Sequence, residues 1–127
     1  MTDTPFPIRL ARVHDDLSDL PGARLLVDRV WPRGVRKDAL HLDDWIRDVA
    51  PSSSLRKWFG HDPAKWDGFR RHYRSELAET RGAVARCLEW CRSGPVILLF
   101  AAKDRDHNQA VVLHDHLRDI LKREDAT

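Results

Sequence analysis

The sequence predicts a small single-domain α/β fold, in which a mainly parallel sheet is flanked by helices. Apolar runs with strand character are separated by segments of helical periodicity, and this alternation favours parallel pairing. One run, at residues 96–102, is apolar throughout, as in a central strand that is buried on both faces. At 127 residues, the chain has the length of one domain. We place this domain at residues 5–122 and expect residues 1–4 and 123–127 to be flexible tails.

Three strands are predicted. Residues 8–13 alternate between apolar and polar side chains, which is typical of a half-buried strand. The second strand covers residues 24–30, and Pro32 and Gly34 end it, because proline cannot donate to a sheet ladder and glycine tolerates a positive φ. Pro95 opens the third strand at residues 96–102.

Helices are predicted between the second and third strands and at the end of the chain. Asp62 and Pro63 have the pattern of an N-cap and a first helical residue, and they begin a helix that runs to about Glu79. Gly82 is expected to bend or break the helical region, and Gly94 to end it before the third strand. The other predicted helices cover residues 42–49, a short segment capped within residues 52–54, residues 84–91 and residues 107–122.

Composition and charge narrow the class of protein. Hydrophobic residues make up 42% and charged residues 33%, which is typical of a globular domain. Lysine and arginine total 22 against 20 acidic residues, and this near balance argues against nucleic-acid binding through bulk charge. The sequence shows neither a signal-peptide pattern nor an apolar run near the roughly 20 residues that span a bilayer. We therefore expect a cytoplasmic protein without a membrane partner, while its oligomeric state stays open.

Catalytic, metal and cofactor motifs are not recognised in the sequence. Cys87 and Cys91 lie on the apolar stripe of a helical pattern, so we expect buried thiols and no metal site. With six glycines and no glycine-rich phosphate loop, no cofactor is expected. His107 and Asp104 are one acid–base pair that the sequence allows. The catalytic residues therefore stay unknown, and whether the protein is an enzyme stays open.

Charged side chains follow both apolar strands, and this pattern predicts a ligand site. The second strand leads into Asp28-Arg29-Val30-Trp31-Pro32-Arg33-Gly34, and the third leads into residues 103–108, where Asp104 or Asp106 is expected to cap the last helix. Open α/β sheets bind ligands beyond the carboxyl ends of their strands, and free amides at a helix N-terminus favour anions. We therefore predict a site for a small anionic ligand, with phosphate-bearing molecules as one class. The predicted ligand-binding residues are Arg29, Trp31, Arg33, Ser52, Arg56, Lys103, Asp104, His107 and Asn108.

A second hypothesis rests on the basic residues between positions 56 and 74. Basic and aromatic side chains alternate there, and such mixtures bind nucleic acids by phosphate contact and stacking. The protein would then be a non-enzymatic module that binds nucleic acid or another protein. The aromatic residues follow the core face of the predicted helix, however, so a solvated charged face is the simpler interpretation. The residues concerned are Arg56, Lys57, Lys65, Arg70, Arg71 and Arg74, with Trp58, Trp66 and Tyr73.

Several motifs together resemble the YeaO-like family of bacterial proteins, a family of unknown function. The most specific is Leu26-Val27-Asp28-Arg29-Val30-Trp31-Pro32-Arg33-Gly34, and it is followed by Leu42 and Trp45, Ala50-Pro51-Ser52, Leu55-Arg56, Phe59, Phe69, Tyr73, Leu77, Ala102-Lys103-Asp104, Asn108, Ala110 and Val112-Leu113. The resemblance extends over residues 8–121, nearly the whole chain. It implies a small cytoplasmic α/β protein and supplies no catalytic residues.

Overall fold

The computed structural model describes residues 6–125. Within this range it contains four strands, five α-helices and two short 3₁₀ helices. The strands are β1 (Ile8–Arg12), β2 (Ala23–Leu26), β3 (Asp44–Trp45) and β4 (Val96–Phe100). The α-helices are α1 (Lys37–Leu40), α2 (Ser53–Phe59), α3 (Trp66–Glu79), α4 (Arg81–Ser93) and α5 (Gln109–Asp125), and the 3₁₀ helices are Arg47–Val49 and Pro63–Lys65.

The four strands form one parallel sheet, which confirms the predicted fold class. The strand order is β1-β4-β2-β3. In the register, Ile8 pairs with Val96, and Leu25 pairs with Leu98. All five residues of β4 are buried, as its unbroken apolar sequence predicts for a central strand.

Each face of the sheet has its own apolar cluster. Because side chains alternate along a strand, Val96, Leu98 and Phe100 lie on one face, and Ile97 and Leu99 lie on the other. Helices α2 to α5 supply the cluster on the first face. The second face is covered by side chains from loops and short elements: Val13, Leu17, Leu20, Trp31, Val35, Leu40, Leu42 and Trp45.

The prediction of a helix at residues 42–49 is wrong. Asp44 and Trp45 instead form β3, which pairs in parallel with Leu25 and Leu26 of β2. The amide of Ile46 donates to the carbonyl of Leu26 at 3.0 Å, and only three residues, Arg47–Val49, then form a 3₁₀ turn. The carbonyl groups on the free edge of β2 accept hydrogen bonds from this segment. Such contacts between residues distant in sequence override local helical periodicity.

The predicted strands are longer than the observed ones at their carboxyl ends. The second was expected to reach residue 30, but β2 ends at Leu26. The amide of Val27 still donates to the carbonyl of Leu99 at 3.1 Å, and the chain then leaves the sheet. The third was expected to reach residue 102, but β4 ends at Phe100. Asp28 and Ala101 therefore lie just beyond the sheet, at the same end of two neighbouring strands.

The predicted helical boundaries need small corrections. The carboxylate of Asp62 accepts the amide of Ala64 at 3.0 Å, as expected of an N-cap, but the first turn is 3₁₀. The break between α3 and α4 falls at Thr80 rather than at Gly82. Gly94 follows α4 with a φ of 168°, which is extended backbone rather than the left-handed form that glycine caps commonly adopt.

Helix α5 defines the end of the described chain. It begins at Gln109 and continues to Asp125, so it passes the expected domain boundary at residue 122. Of the expected tails at residues 1–4 and 123–127, residues 1–4 and 126–127 lie outside the described residues, as does residue 5, and residues 123–125 belong to α5. Between residues 6 and 125, no helix combines the length and apolar character needed to cross a membrane.

Cys87 and Cys91 both lie in the core, as their spacing on α4 predicts. Both thiols are free and buried. Burial raises the pKa of Cys87 to about 12 and that of Cys91 to about 11, so neither is a thiolate near neutral pH. In the described part of the chain, no three His, Cys, Asp or Glu side chains are placed to hold a metal ion.

Candidate ligand-binding pocket

A pocket of about 820 Å³ lies where β2 and β4 end. Its volume is within the range of small-molecule sites, roughly 300–1,000 Å³. The turn after β2, the loop after β4, helix α2 and the first residue of α5 all contribute to its wall. The lining residues are Asp28, Arg29, Val30, Pro32, Ala50, Pro51, Arg56, Lys57, Phe59, His61, Phe69, Ala101, Ala102, Lys103, Asp104 and Gln109.

The carboxyl group of Asp28 links the two strand ends at this pocket. One of its oxygens accepts the amide of Ala101 at 3.1 Å, and the other accepts the side-chain amide of Gln109. Its own carbonyl accepts the indole N–H of Trp45 at 2.8 Å. Burial raises the pKa of Asp28 to about 6, although the two hydrogen bonds to its carboxylate and the charge of Arg56 act to lower it. Asp28 is therefore a largely ionised, half-buried carboxylate at neutral pH.

Three lining cations, Arg56, Lys57 and Lys103, are exposed. Within residues 6–125 their side chains form no hydrogen bond or ion pair with another side chain or with the backbone, although Arg56 acts electrostatically on Asp28. Arg56 and Lys57 lie on α2, and Lys103 lies on the loop after β4. The three charges therefore approach the pocket from two sides and are available to a ligand.

The loop after β4 is held in place by the end of β1. The guanidinium of Arg12 donates to the carbonyls of Ala102 and Ala101, at 3.0 and 3.3 Å. Arg105 donates to both carboxylate oxygens of Asp15, at 2.7 and 2.9 Å. This contact with Arg105 is the main reason that the pKa of Asp15 falls to about 2. The loop is thus fixed by hydrogen bonds before any ligand arrives.

Asp104 and His107 form the pair that the sequence allows. The carboxylate of Asp104 accepts the amides of Asp106 and His107, at 2.9 and 3.0 Å, and contacts the His107 ring at 3.0 Å. These bonds lower the pKa of Asp104. The His107 ring also packs edge-on against Trp66, with the centroids 5.1 Å apart. Asp104 lines the pocket, whereas His107 is not one of its lining residues.

Asn108 caps α5, so the prediction that Asp104 or Asp106 caps it is wrong. The Asn108 side-chain oxygen accepts the amide of Val111 at 3.2 Å, and its NH₂ group donates to the Asp104 carbonyl at 2.8 Å. Asn108 is the buried polar residue of this end of the molecule, at 2% exposure. With both side-chain groups engaged, it is placed to shape the loop behind the pocket, and it is not among the lining residues.

Arg29 lies at the pocket, but its guanidinium points at the backbone. It donates to the carbonyls of Ala50 and Pro51, at 2.9 and 3.3 Å, and lies 4.0 Å from the carboxylate of Asp48. These contacts join the turn after β2 to the segment that precedes α2. Two of the five N–H donors of Arg29 are therefore used in hydrogen bonds to the backbone.

Trp31, Arg33 and Ser52 lie outside the pocket lining. The indole of Trp31 donates to the carbonyl of Val35 at 2.7 Å and belongs to the apolar cluster on the second face of the sheet. Arg33 is exposed beside Gly34, whose φ of 78° allows the turn. Ser52 caps α2, as predicted, and its hydroxyl donates to Glu76 at 2.5 Å. That these three residues bind a ligand stays a prediction.

The basic residues between positions 56 and 74 are divided between two pockets and one contact with the backbone. Arg56 and Lys57 belong to the pocket, and Lys65 donates to the carbonyl of Trp58 at 2.8 Å. Three others line a separate cleft of about 1,080 Å³ between α3 and α5, together with Val112 and charged or imidazole side chains from both helices. Its charged residues are Asp67, Arg70, Arg71, Arg74, Asp115, Arg118, Asp119 and Lys122, with His114.

The aromatic residues of this region were expected to face the core. Tyr73 does so completely, and its hydroxyl donates to the carbonyl of Val49 at 2.5 Å. Trp66 is half-buried against Phe69. The expectation is wrong for Trp58, which is 44% exposed and lies over Gly68, where a Cβ atom would approach its ring to 2.8 Å. The short helix α2 leaves this ring at the surface.

Sequence reasoning missed several lining residues. Gln109 follows the predicted loop directly, and its position at the start of α5 was a usable signal. Lys57 was assigned to the basic face, although it follows Arg56 on the same helix. His61 lines the pocket with a φ of 58°, and nothing in the sequence indicated this conformation. Phe59 and Phe69 carried helical periodicity and were treated only as core residues.

The described lining residues include no serine, threonine or cysteine. The hydroxyl and thiol groups that commonly form covalent intermediates are therefore not part of this wall. Its titratable groups are carboxylates, an imidazole, two lysines and two arginines. Such a set can bind charged molecules, and Asp28, whose pKa is raised to about 6 by burial, can exchange a proton near neutral pH.

The parallel sheet and the strand-end pocket define a small α/β domain with a preformed cavity, and comparison with known proteins identifies its family. Residues 7–127 match the family model described as the inactive DUF488-N3 subclade. The chain therefore belongs to this family. No solved structure matches it significantly.

Relatives of this chain confirm the resemblance to YeaO-like proteins. Over 113 residues it is 39% identical to the uncharacterized protein YeaO of Escherichia coli (strain K12), covering 89% of this chain and 98% of that protein. It is also 45% identical over 73 residues to uncharacterized proteins of Mycobacterium tuberculosis (strain ATCC 25618 / H37Rv) and Mycobacterium bovis (strain ATCC BAA-935 / AF2122/97). Those matches cover 58% of this chain and 62% of each mycobacterial protein.

Proposed function

We propose that the protein binds a small anionic ligand, phosphate-bearing molecules included, in the pocket at the carboxyl ends of β2 and β4. The observation that carries the proposal is the set of cations at this pocket. Arg56, Lys57 and Lys103 reach it from two elements, and none of their side chains donates to another group within residues 6–125. Open α/β sheets bind ligands at this end of their strands.

The chemistry of the wall supports an anion with an apolar or flat body. An arginine such as Arg56 can hold a carboxylate or phosphate through two parallel hydrogen bonds, and a lysine such as Lys103 adds a point charge. Phe59, Phe69 and Pro32 supply apolar surface beside these charges. The loop that carries Lys103 is fixed to β1, so little ordering is needed when the ligand binds.

A role in binding without turnover agrees with the family description, which names this subclade inactive. Binding of a metabolite, rather than its conversion, is therefore the activity that we propose for this pocket.

Calorimetric titration with inorganic phosphate and a panel of phosphorylated metabolites tests the proposal. We expect at least one probe to bind the wild-type protein, and the variants Arg56→Ala and Lys103→Ala each to weaken it about tenfold or more, because each removes a charge-assisted contact of about 1.5–3 kcal/mol. Arg71→Ala is the matched control, since it removes an exposed arginine from the other cleft. If no probe binds, or if Arg71→Ala weakens binding as much as Arg56→Ala, the proposal is wrong.

The cleft between α3 and α5 favours a second candidate function, the binding of nucleic acid. Arg70 and Arg74 are paired with Asp67 and Asp119, at 2.6 and 2.7 Å. Arg71, Arg118 and Lys122 line the same cleft without such a pair among the described residues. Three free cations predict affinity for single-stranded RNA that falls steeply between low and moderate salt, with a logarithmic slope of about −2. Fluorescence anisotropy measures this slope, and absence of binding at low salt excludes this function.

A further inference from the structure

The carboxylate of Asp28 is out of place in a pocket that binds only anions. It lines the same cavity as Arg56, Lys57 and Lys103, and it is less exposed than any of them. A ligand anion next to Asp28 would be repelled by it, and the repulsion is strong where water is partly excluded. The anionic part of a ligand therefore belongs with the exposed cations, and a different group must lie against Asp28.

Asp28 has no ionic partner within the described part of the chain. No Lys, Arg or His nitrogen approaches its oxygens within 4.0 Å, and Arg56 acts on it only at longer range. The neighbouring guanidinium of Arg29 is turned toward the carbonyls of Ala50 and Pro51. A half-buried carboxylate without a counter-ion is unfavourable unless another group neutralises it.

The oxygens of Asp28 also keep free acceptor capacity. Each accepts one N–H group, from the Ala101 amide or from Gln109. A carboxylate offers about four lone-pair positions, so about one on each oxygen is left. These two bonds fix the orientation of the carboxylate, which makes it a positioned acceptor for a donor that enters the pocket.

We infer that the pocket selects amphoteric ligands, with an anionic group held by Arg56 and Lys103 and an ammonium or other N–H-donating group held by Asp28. This inference rests on the proposed function, because it assumes that the anion binds at the same pocket. Asp28 is then the residue that determines specificity. It disfavours simple anions of the same size relative to those that carry a donor at the opposite end. The volume of about 820 Å³ leaves room for a connecting chain or ring between the two groups.

The test compares matched pairs of probes on the full chain. Each ω-aminoalkyl phosphate, in a series of increasing chain length, is titrated beside the alkyl phosphate of the same length, so the two members differ only in the ammonium group. At about pH 7.5 we expect one length at which the amino compound binds at least about tenfold more tightly to the wild-type protein. Asp28→Asn keeps the size of the side chain and removes its charge, so it should abolish this preference: the amino compound and the alkyl phosphate of the same length should bind the variant equally.

The outcomes separate this inference from the proposed function. If alkyl phosphates bind and the amino compounds bind no better at any length, the inference is wrong and the anion site stands. If neither kind of probe binds, both fail. If Asp28→Asn keeps the preference for the amino compound, another group provides it and the assignment to Asp28 is wrong. Should Asp28→Asn not fold, the wild-type comparison still decides whether amphoteric probes are preferred. The variant Gln109→Ala, which removes one of the two bonds that orient the Asp28 carboxylate, should then weaken that preference, and an unchanged preference would contradict the assignment to Asp28.

Discussion

The ionisation of Asp28 should make the stability of the protein depend on pH, and Asp28→Asn isolates this effect. In the folded protein, burial raises the pKa of Asp28 from 3.8 to about 6. Between these two pH values the folded protein holds a proton that the unfolded chain has released. Stability from this group is therefore fully present below about pH 4 and is lost as the pH rises through about 6.

The size of the effect follows from the same two values. A change from 3.8 to about 6 corresponds to about 3 kcal/mol, at 1.36 kcal/mol for each pKa unit. Asparagine does not ionise, so the stability of the variant does not fall through this group as the pH rises. The free energy of unfolding of the wild-type protein should therefore fall relative to that of Asp28→Asn by up to about 3 kcal/mol between about pH 4 and pH 7. Residual contact of the carboxylate with water makes this value an upper limit.

Urea unfolding of both proteins across this pH range measures the effect. Other titrating groups, including Asp15 and Asp104, contribute to both proteins alike and cancel in the difference. A difference that stays constant from about pH 4 to pH 7, or one that moves in favour of the wild-type protein, would refute the argument. In that case Asp28 is either well solvated or paired with a cation in solution.

Three further variants and one control test hydrogen bonds and an ion pair of the described structure by urea unfolding. Arg29→Ala should lower the free energy of unfolding by about 1–3 kcal/mol, because two backbone carbonyls lose their donor. The control Arg33→Ala should change it by less than about 0.5 kcal/mol, and equal effects of the two variants would contradict the assigned roles. Tyr73→Phe should lower it by about 1–3 kcal/mol, because the buried carbonyl of Val49 is left without its donor, and an unchanged stability would mean that water replaces the hydroxyl. Asp15→Asn should lower the free energy of unfolding by at most about 1 kcal/mol at neutral pH. This difference should disappear as the pH falls from about 4 to about 2, because Arg105 holds the pKa of Asp15 at about 2, and a loss that persists at low pH would contradict the ionic origin.

The sheet could be predicted from local sequence, apart from its edge. The apolar run of β4 and the alternation of β1 are properties of the segments themselves, so both strands can be predicted without knowledge of the fold. The two residues of β3 are not, because Asp44 and Trp45 become a strand only when the edge of β2 lies beside them. A helical pattern of apolar residues was therefore misleading at residues 42–49.

The position of the pocket was predictable from the sequence, and its individual lining residues were less so. Charge after two parallel strands located the pocket, because the carboxyl ends of neighbouring strands meet at one edge. The sequence does not show which way each side chain turns. Arg29 turns to backbone carbonyls, and Trp31 turns to the opposite face of the sheet. Asp28, which the sequence places only within the charged turn, lines the cavity. These directions depend on hydrogen-bond partners that lie far away in the chain.

Asp28 and Arg29 bond different segments of the chain, and this explains why the turn after β2 carries opposite charges without an internal ion pair. Arg29 joins the turn to the segment before α2, and Asp28 joins it to the loop after β4 and to α5. Each charge is thus used to hold a different wall of the pocket. A substitution at either position should alter the geometry of the cavity as well as its charge, so binding measured on such variants has to be compared with their stability. Arg56 and Lys103 are free of this complication, because their side chains form no bond within residues 6–125, and they give the cleaner test of anion binding.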